Sequence, residues 1–167
     1  LKMTIAVRDG VEAGMFESGS RMEQLDVRFA GRYFEAFDAW QAGKPCTKSW
    51  QTAFEAAKEE RLAAMQHILL GINAHINLDL SIAAAQTRSG DAIFGLHKDF
   101  DRINDIIANL TDRVQERLAD IWLPFRLLDF LLKTEDEGWV HFSIQVARGA
   151  AWKAATALAF AQQSETE

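Results

Sequence analysis

The sequence predicts an all-α fold, an irregular bundle of roughly five to seven helices around one central apolar helix. Three observations carry that expectation. No segment alternates apolar and polar residues at period two between turn signals, as a half-buried strand does. Only Pro45 and Pro124 punctuate the 167 residues, so little interrupts the helical patterns. Between Arg61 and Arg88 the one charged side chain is Asp79. The stretch from Ile68 to Ala85 is therefore apolar nearly all round, the mark of a buried central helix.

The elements follow in order. A first helix runs from Leu1 to about Ala13 and stops at Gly14, before the loop "ESGS". Ser20 and Glu23 have the spacing of a capping box, and in the helix after them Leu25, Phe29, Phe37 and Trp40 recur at helical intervals until Gly43 and Pro45. From Lys48 to Gln86 the pattern is helical without a clear break. A helix of that length bends or splits in a domain of this size, and Gly71, or Asn77 with Asp79, are the expected places. The loop "TRSGD" precedes a stripe of Phe100, Ile103, Ile107, Leu110, Val114, Leu118 and Ile121, which Pro124 closes. A short helix over "PFRLLDFLLK" follows, and Thr134 with Glu137 caps a last helix that ends near Gln163.

A chain of this length is expected to form a single helical domain over residues 1–167 with a full core of its own. The lone Cys46 excludes an internal disulfide and a cysteine-based zinc site and points to a reducing compartment, hence the cytoplasm. An export signal upstream of Leu1 stays open, as does the oligomeric state. Eighteen basic and twenty-four acidic residues give a formal charge of −6, with the cations scattered, which argues against nucleic acid. No apolar run is expected to reach the ~20 residues of a membrane span, because Asp79 and Lys153 interrupt the most apolar stretches. The expectation is a soluble protein that does not enter membranes.

Asp79 cannot avoid burial in such surroundings, and a buried charge costs several kcal/mol unless it is paired, hydrogen-bonded or bound to a metal. At about 100° per residue, His75 and Asp79 lie about 40° apart and point into the core together. Asn73 and Asn77 project from the opposite side. A second constellation, "HKDFDRIND", spaces His97, Asp101 and Asp105 by four, with Asn104 between that row and the apolar stripe. Both helices thus carry His-x-x-x-Asp, a spacing that lets an imidazole and a carboxylate reach one ion. His75, Asp79, His97 and Asp101 are accordingly the candidate metal ligands and catalytic groups, with a divalent ion such as zinc as the candidate cofactor activating water. Asn77 and Asn104 are candidate outer partners and ligand-binding groups. The plainer readings are a hydrogen-bonded core pair at His75 and Asp79, and a solvated helix start at His97 and Asp101, where acidic groups favour the helix dipole.

On the last helix His141, Gln145, Arg148 and Trp152 share a stripe. Arg148 could neutralise Asp79, or grip a small anionic ligand with His141 nearby, or form a structural ion pair beside the indole. No nucleophile motif or phosphate-cradling glycine loop occurs.

The stretches "LDVRFAGRYFEAFDAW", "LLGINAHINLDL" and "HKDFDRIND" resemble the signatures of a family of bacterial helical proteins catalogued as a domain of unknown function, which share an Ala-His-Ile-Asn-x-Asp-Leu core. The resemblance extends from about Leu1 to Trp152. It implies a single all-helical domain with His75, Asn77 and Asp79 in the signature and His97, Asp101 and Asn104 in its second block, and it implies no activity. Three functions stay open: a divalent-metal-dependent hydrolase, a non-catalytic module for a small anion, and a purely structural polar network involving Arg148.

Overall fold

Glycines close the first two helices. The computed structural model describes residues 2–59, 64–106 and 136–164, beginning with α1, Lys2–Glu12, and α2, Gly19–Gln41. Gly14 (φ 67°) and Gly43 (φ 66°) take the left-handed conformation that a side chain disfavours. At the first, the Met15 N–H bonds the Gly10 carbonyl at 2.9 Å and the Gly14 N–H bonds that of Val11 at 3.1 Å. At the second, Lys44 reaches Ala39 at 2.8 Å and Gly43 reaches Trp40 at 3.0 Å. Both are Schellman motifs, which satisfy the last carbonyls of the helix. The start of α2 differs from expectation. The helix begins at Gly19, with Ser18 as an N-cap that makes no side-chain bond, so Ser20 falls inside the first turn and the Ser20–Glu23 box is not used. A carboxylate from elsewhere in the fold holds this start.

The expected continuous helix from Lys48 to Gln86 is divided. Helix α3, Lys48–Ala56, ends in a tightened turn where Lys58 and Glu59 donate to Glu55 and Ala56 at 3.0 and 2.9 Å. No glycine or proline marks that stop. Helix α4, Ala64–Ile72, passes through Gly71 without a break and runs into a π-helical segment, Asn73–Asp79, then α5, Leu80–Thr87. In the π segment the Leu80 N–H reaches back five residues to the His75 carbonyl. Such insertions carry a cost in helix geometry and are frequent at functional sites. The irregularity therefore falls at Asn77 and Asp79, one of the two expected places.

The run Gln66–Thr87, with a mean hydropathy of 1.4 over its most apolar 18 residues, is long and apolar enough by length and composition to cross a membrane. That corrects the expectation that no such run exists, since a single charge does not lower the average of its most apolar 18 residues enough. In the fold its second half lies against α2 and the last helix.

A 3₁₀ segment, Gly90–Leu96, leads into α6, helical over residues 97–106, and the last described helix is α7, Asp136–Ser164. Among the described residues there is no strand, and the fold is an all-α irregular bundle. Phe100 and Ile103 of the expected stripe are buried, as is Ile106. The expectations for Ile107 to Pro124, for "PFRLLDFLLK" and for Thr134 lie outside the described residues.

The central contact joins α5 to α7. Ala83, Ala84 and Ala85 are buried against a row of Ala151, Ala155 and Ala159, spaced four apart on one face of α7. Small side chains let the two backbones approach closely, and Met22, Leu25, Leu80, Ile93, Leu96 and Phe100 fill the surrounding core. A smaller cluster of Ala36, Trp50 and Ala74, with Tyr33 and Phe54 packed against it, joins α2, α3 and the π segment. The π segment thus lies between the aromatic side of α2 and α3 and the α7 side of the bundle.

Candidate functional site

Asp79 ends the π segment with no exposed surface, and the donors around it come from three elements. Arg32 of α2 donates Nε–H to Oδ1 at 3.0 Å. Trp50 of α3 donates Nε1–H to Oδ2 at 2.7 Å. His75, one turn back, places Nδ1 3.3 Å from Oδ2. The burial and the His and Arg neighbours are what the isolated charge in the sequence predicts, but the arginine is Arg32 and not Arg148. A carboxylate only accepts, so the imidazole bond needs its proton on Nδ1, and in the neutral ring Nε2 then carries the lone pair.

Aromatic rings hold His75 in this orientation. Phe29 stacks on the imidazole at 3.9 Å and 12°, and Tyr33 and Trp50 both lie 5.9 Å from it. Phe29, Arg32 and Ala36 follow Leu25 along one face of α2, so the Arg32 guanidinium projects from the buried row between two apolar positions. The His75 side chain keeps 29% exposure. Nδ1 faces the buried carboxylate, so Nε2 is the ring nitrogen left for a partner other than Asp79. Asn77 turns away from this centre and donates Nδ2–H to Asn73 at 3.1 Å, leaving its buried Oδ1 without an acceptor's partner among the described residues.

The second His-x-x-x-Asp pair lies elsewhere. His97 Nε2 stands 3.5 Å from Asp101 Oδ2, with the two side chains 49% and 58% exposed, and the His97 ring leans on Trp152 at 4.4 Å. Among the described residues no group of three or more His, Cys, Asp and Glu side chains is placed to hold a metal ion. The expected convergence of His75, Asp79, His97 and Asp101 on one pocket is therefore replaced by two separate pairs.

The buried acid of the second block is Asp99, which has no exposed surface. Its Oδ1 accepts the Glu17 N–H at 2.6 Å, and its Oδ2 accepts the Ser18 N–H and Arg21 Nη2, both at 3.1 Å. Asp99 thus holds the start of α2 from a distant helix, through the N–H groups of the N-cap and of the residue before it and through Arg21, where a negative charge also favours the helix dipole. Leu96, Asp99, Ile103 and Ile106 form one row of helical spacing, so the register places Asp99 on the buried face and Asp101 off it.

Arg148 is buried as well, at 4% exposure. Its Nε donates to Asn104 Oδ1 and its Nη2 to the Phe100 carbonyl, while the guanidinium lies over the Phe100 ring at 4.4 Å. Burial pushes its pKa down to about 10, with the Asp101 charge pulling the other way. Arg148 thus joins Asn104 and does not meet Asp79, the arrangement of a structural tie between α6 and α7. The His141 side chain lies outside the described residues.

Arg32, Trp50, Asp99 and Arg21 were not singled out from the sequence. The signal that finds Arg32 and Asp99 is a charged residue in register with an apolar row. For Trp50 it is only the rule that a buried indole N–H needs an acceptor.

A sequence family described as a family of unknown function (DUF5995) matches residues 1–167. No curated protein and no solved structure matches the chain.

Proposed function

The chain belongs to this family of unknown function, which carries no activity to it, and from the geometry we propose that His75 is the working group of a small-molecule hydrolase. Asp79 orients the imidazole through Nδ1, Arg32 and Trp50 hold Asp79 in place, and Nε2 acts as a general base on water. Water gives its proton to Nε2 as its oxygen bonds the electrophilic carbon or phosphorus, and the imidazolium returns a proton to the leaving group. Asp79 stabilises the transient imidazolium, the role a buried carboxylate plays beside a catalytic histidine.

The observation that carries this reading is the 3.3 Å bond from a part-exposed imidazole to a fully buried, triply bonded carboxylate. It also bears on the metal-dependent form of the hydrolase. The Asp79 oxygens already face a guanidinium and an indole N–H, and a divalent ion there would have to displace a cation. Zinc chemistry is better matched to His75 Nε2 alone, which is fewer than the three protein ligands a catalytic zinc needs. The second reading, a purely structural network, is favoured by the fact that Asp79 ties α2, α3 and the π segment together.

The test is hydrolysis of chromogenic nitrophenyl acetates, phosphates and glycosides by protein treated with EDTA, comparing wild type with His75→Gln and His97→Gln. Turnover that survives EDTA and His97→Gln but is lost in His75→Gln is the expected result. Nitrogen NMR should also show the neutral His75 protonated on Nδ1. Activity that EDTA removes and zinc restores would return the function to a metal-dependent hydrolase. A His75 that carries its proton on Nε2, with no turnover above buffer, leaves the structural network as the function of Asp79.

A further inference from the structure

We propose that Arg32 is the specificity-determining residue of the His75 centre and that it anchors the carboxylate of a small acid whose apolar body lies along the rings of α2. The inference rests on His75 being the working group. It begins from an unequal use of the Arg32 guanidinium. A guanidinium has five N–H donors in a planar fork, and Arg32 gives Asp79 only the one on Nε. No bond from Nη1 or Nη2 occurs among the described residues. Nor are these atoms sealed in: the buried side-chain nitrogens and oxygens without a partner there are Arg21 Nε, Thr47 Oγ1 and Asn77 Oδ1, and the Arg32 side chain keeps 21% exposure. The fork therefore reaches solvent while its stem is fixed.

Position follows from the shared carboxylate. Arg32 binds Oδ1 of Asp79 and His75 binds Oδ2, so the guanidinium and the imidazole flank one group and stand side by side. Neutral Nε2 accepts a proton and does not donate to an anion, which leaves the grip to Arg32 and the chemistry to His75. A carboxylate suits a planar fork better than a point charge does, because two parallel N–H bonds fix its orientation. The neighbouring surface is aromatic. Tyr33 lies next to Arg32 on α2 with its ring 5.9 Å from that of His75, and Phe37, one turn on, stands 6.0 Å from the Tyr33 ring and is exposed. A planar apolar body fits such a surface, so an aromatic acid is favoured over a short aliphatic one.

Benzoate is the probe, titrated into the full chain and followed by NMR, with benzamide and inorganic phosphate as comparisons. Benzoate should shift the Arg32 side-chain and Tyr33 resonances and saturate at low millimolar concentration, on the order of a 4 kcal/mol interaction. Benzamide, which lacks the charge, should bind at least about tenfold more weakly. Arg32→Lys keeps a cation beside Asp79 but loses the fork, and should weaken benzoate about tenfold while thermal unfolding shows it folded. His75→Gln should leave benzoate binding within about threefold, because the grip belongs to Arg32. The proposal is overturned if benzoate shifts nothing at Arg32, if benzamide binds equally well, or if phosphate binds more tightly than benzoate. Benzoate binding together with an inactive His75 would leave this anion site standing and remove the hydrolase. Hydrolysis without benzoate binding would do the reverse.

Discussion

The chain carries His-x-x-x-Asp twice, and the fold treats the two copies in opposite ways. His75 and Asp79 are packed among Phe29, Arg32, Tyr33 and Trp50, and the carboxylate is fully buried with three donors. His97 and Asp101 stand 3.5 Å apart on an exposed face with Trp152 beneath the ring. The spacing is the same, so spacing does not decide burial. What differs is the register with the apolar rows around it. Asp79 sits in a stretch with no other charge, whereas Asp101 lies off the row of Leu96, Asp99, Ile103 and Ile106. The buried acid of the second region is its neighbour Asp99, which binds the start of α2.

Removing each carboxylate measures this contrast most directly. Asp79→Ala strands the Arg32 cation and the Trp50 N–H, and should cost about 3–5 kcal/mol in denaturant unfolding. Asp101→Ala should stay within about 0.5 kcal/mol. Equal costs for the two would mean that the contrast in burial has no energetic content.

Asp99→Ala tests whether the second region has its own buried centre. It leaves the Glu17 and Ser18 N–H groups and Arg21 without their acceptor. The expected cost is about 2–3 kcal/mol, below that of Asp79 because Glu17 is exposed and water can take over its N–H, whereas the Trp50 N–H is buried. Hydrogen exchange should localise the loss to the first turn of α2. A uniform loss of protection across the bundle would show that Asp99 supports the core and not only the start of α2.

How much of this was legible in the sequence can be argued from the same residues. The helical class followed from the missing period-two patterns, and the burial of Asp79 from the lack of any other charge between Arg61 and Arg88. Its donor His75 followed from the four-residue spacing, but Arg32 and Trp50 did not, because they lie 47 and 29 residues away and only folding brings them near. The same distance hid Asp99 as a partner for the start of α2, some eighty residues earlier in the chain, so a local capping box at Ser20 and Glu23 was the best reading of that stretch. The end of α3 was illegible for a different reason. "FEAAKEERLAA" is rich in good helix formers, and tertiary packing overrides such propensities without leaving a mark in the sequence. The π segment was half legible: the polar residues marked the place, but a period of 3.6 does not announce an inserted residue.

The smallest expected effect concerns what the exposed pair does at all. Asp101 has two cations to answer to, His97 when protonated and the buried Arg148, whose pKa its charge supports against the lowering caused by burial. Asp101→Asn, made alone and in a His97→Gln background, separates them. Arg148, at about 10, keeps its charge through neutral and mildly basic conditions. The sign for Arg148 is that of a base depressed by folding. The folded state gives up the proton first, so wild-type stability rises as pH climbs through about 10, and below that the full cost of burying the charge is present. Asp101 offsets part of that cost at every pH where Arg148 is charged. The Asn variant should therefore be less stable than wild type by a few tenths of a kcal/mol at pH ~8.5 and low salt, and the difference should shrink as salt screens it. A difference that vanishes in a His97→Gln background would assign Asp101 to His97 alone. The second His-x-x-x-Asp pair would then be a surface ion pair with no connection to the buried arginine.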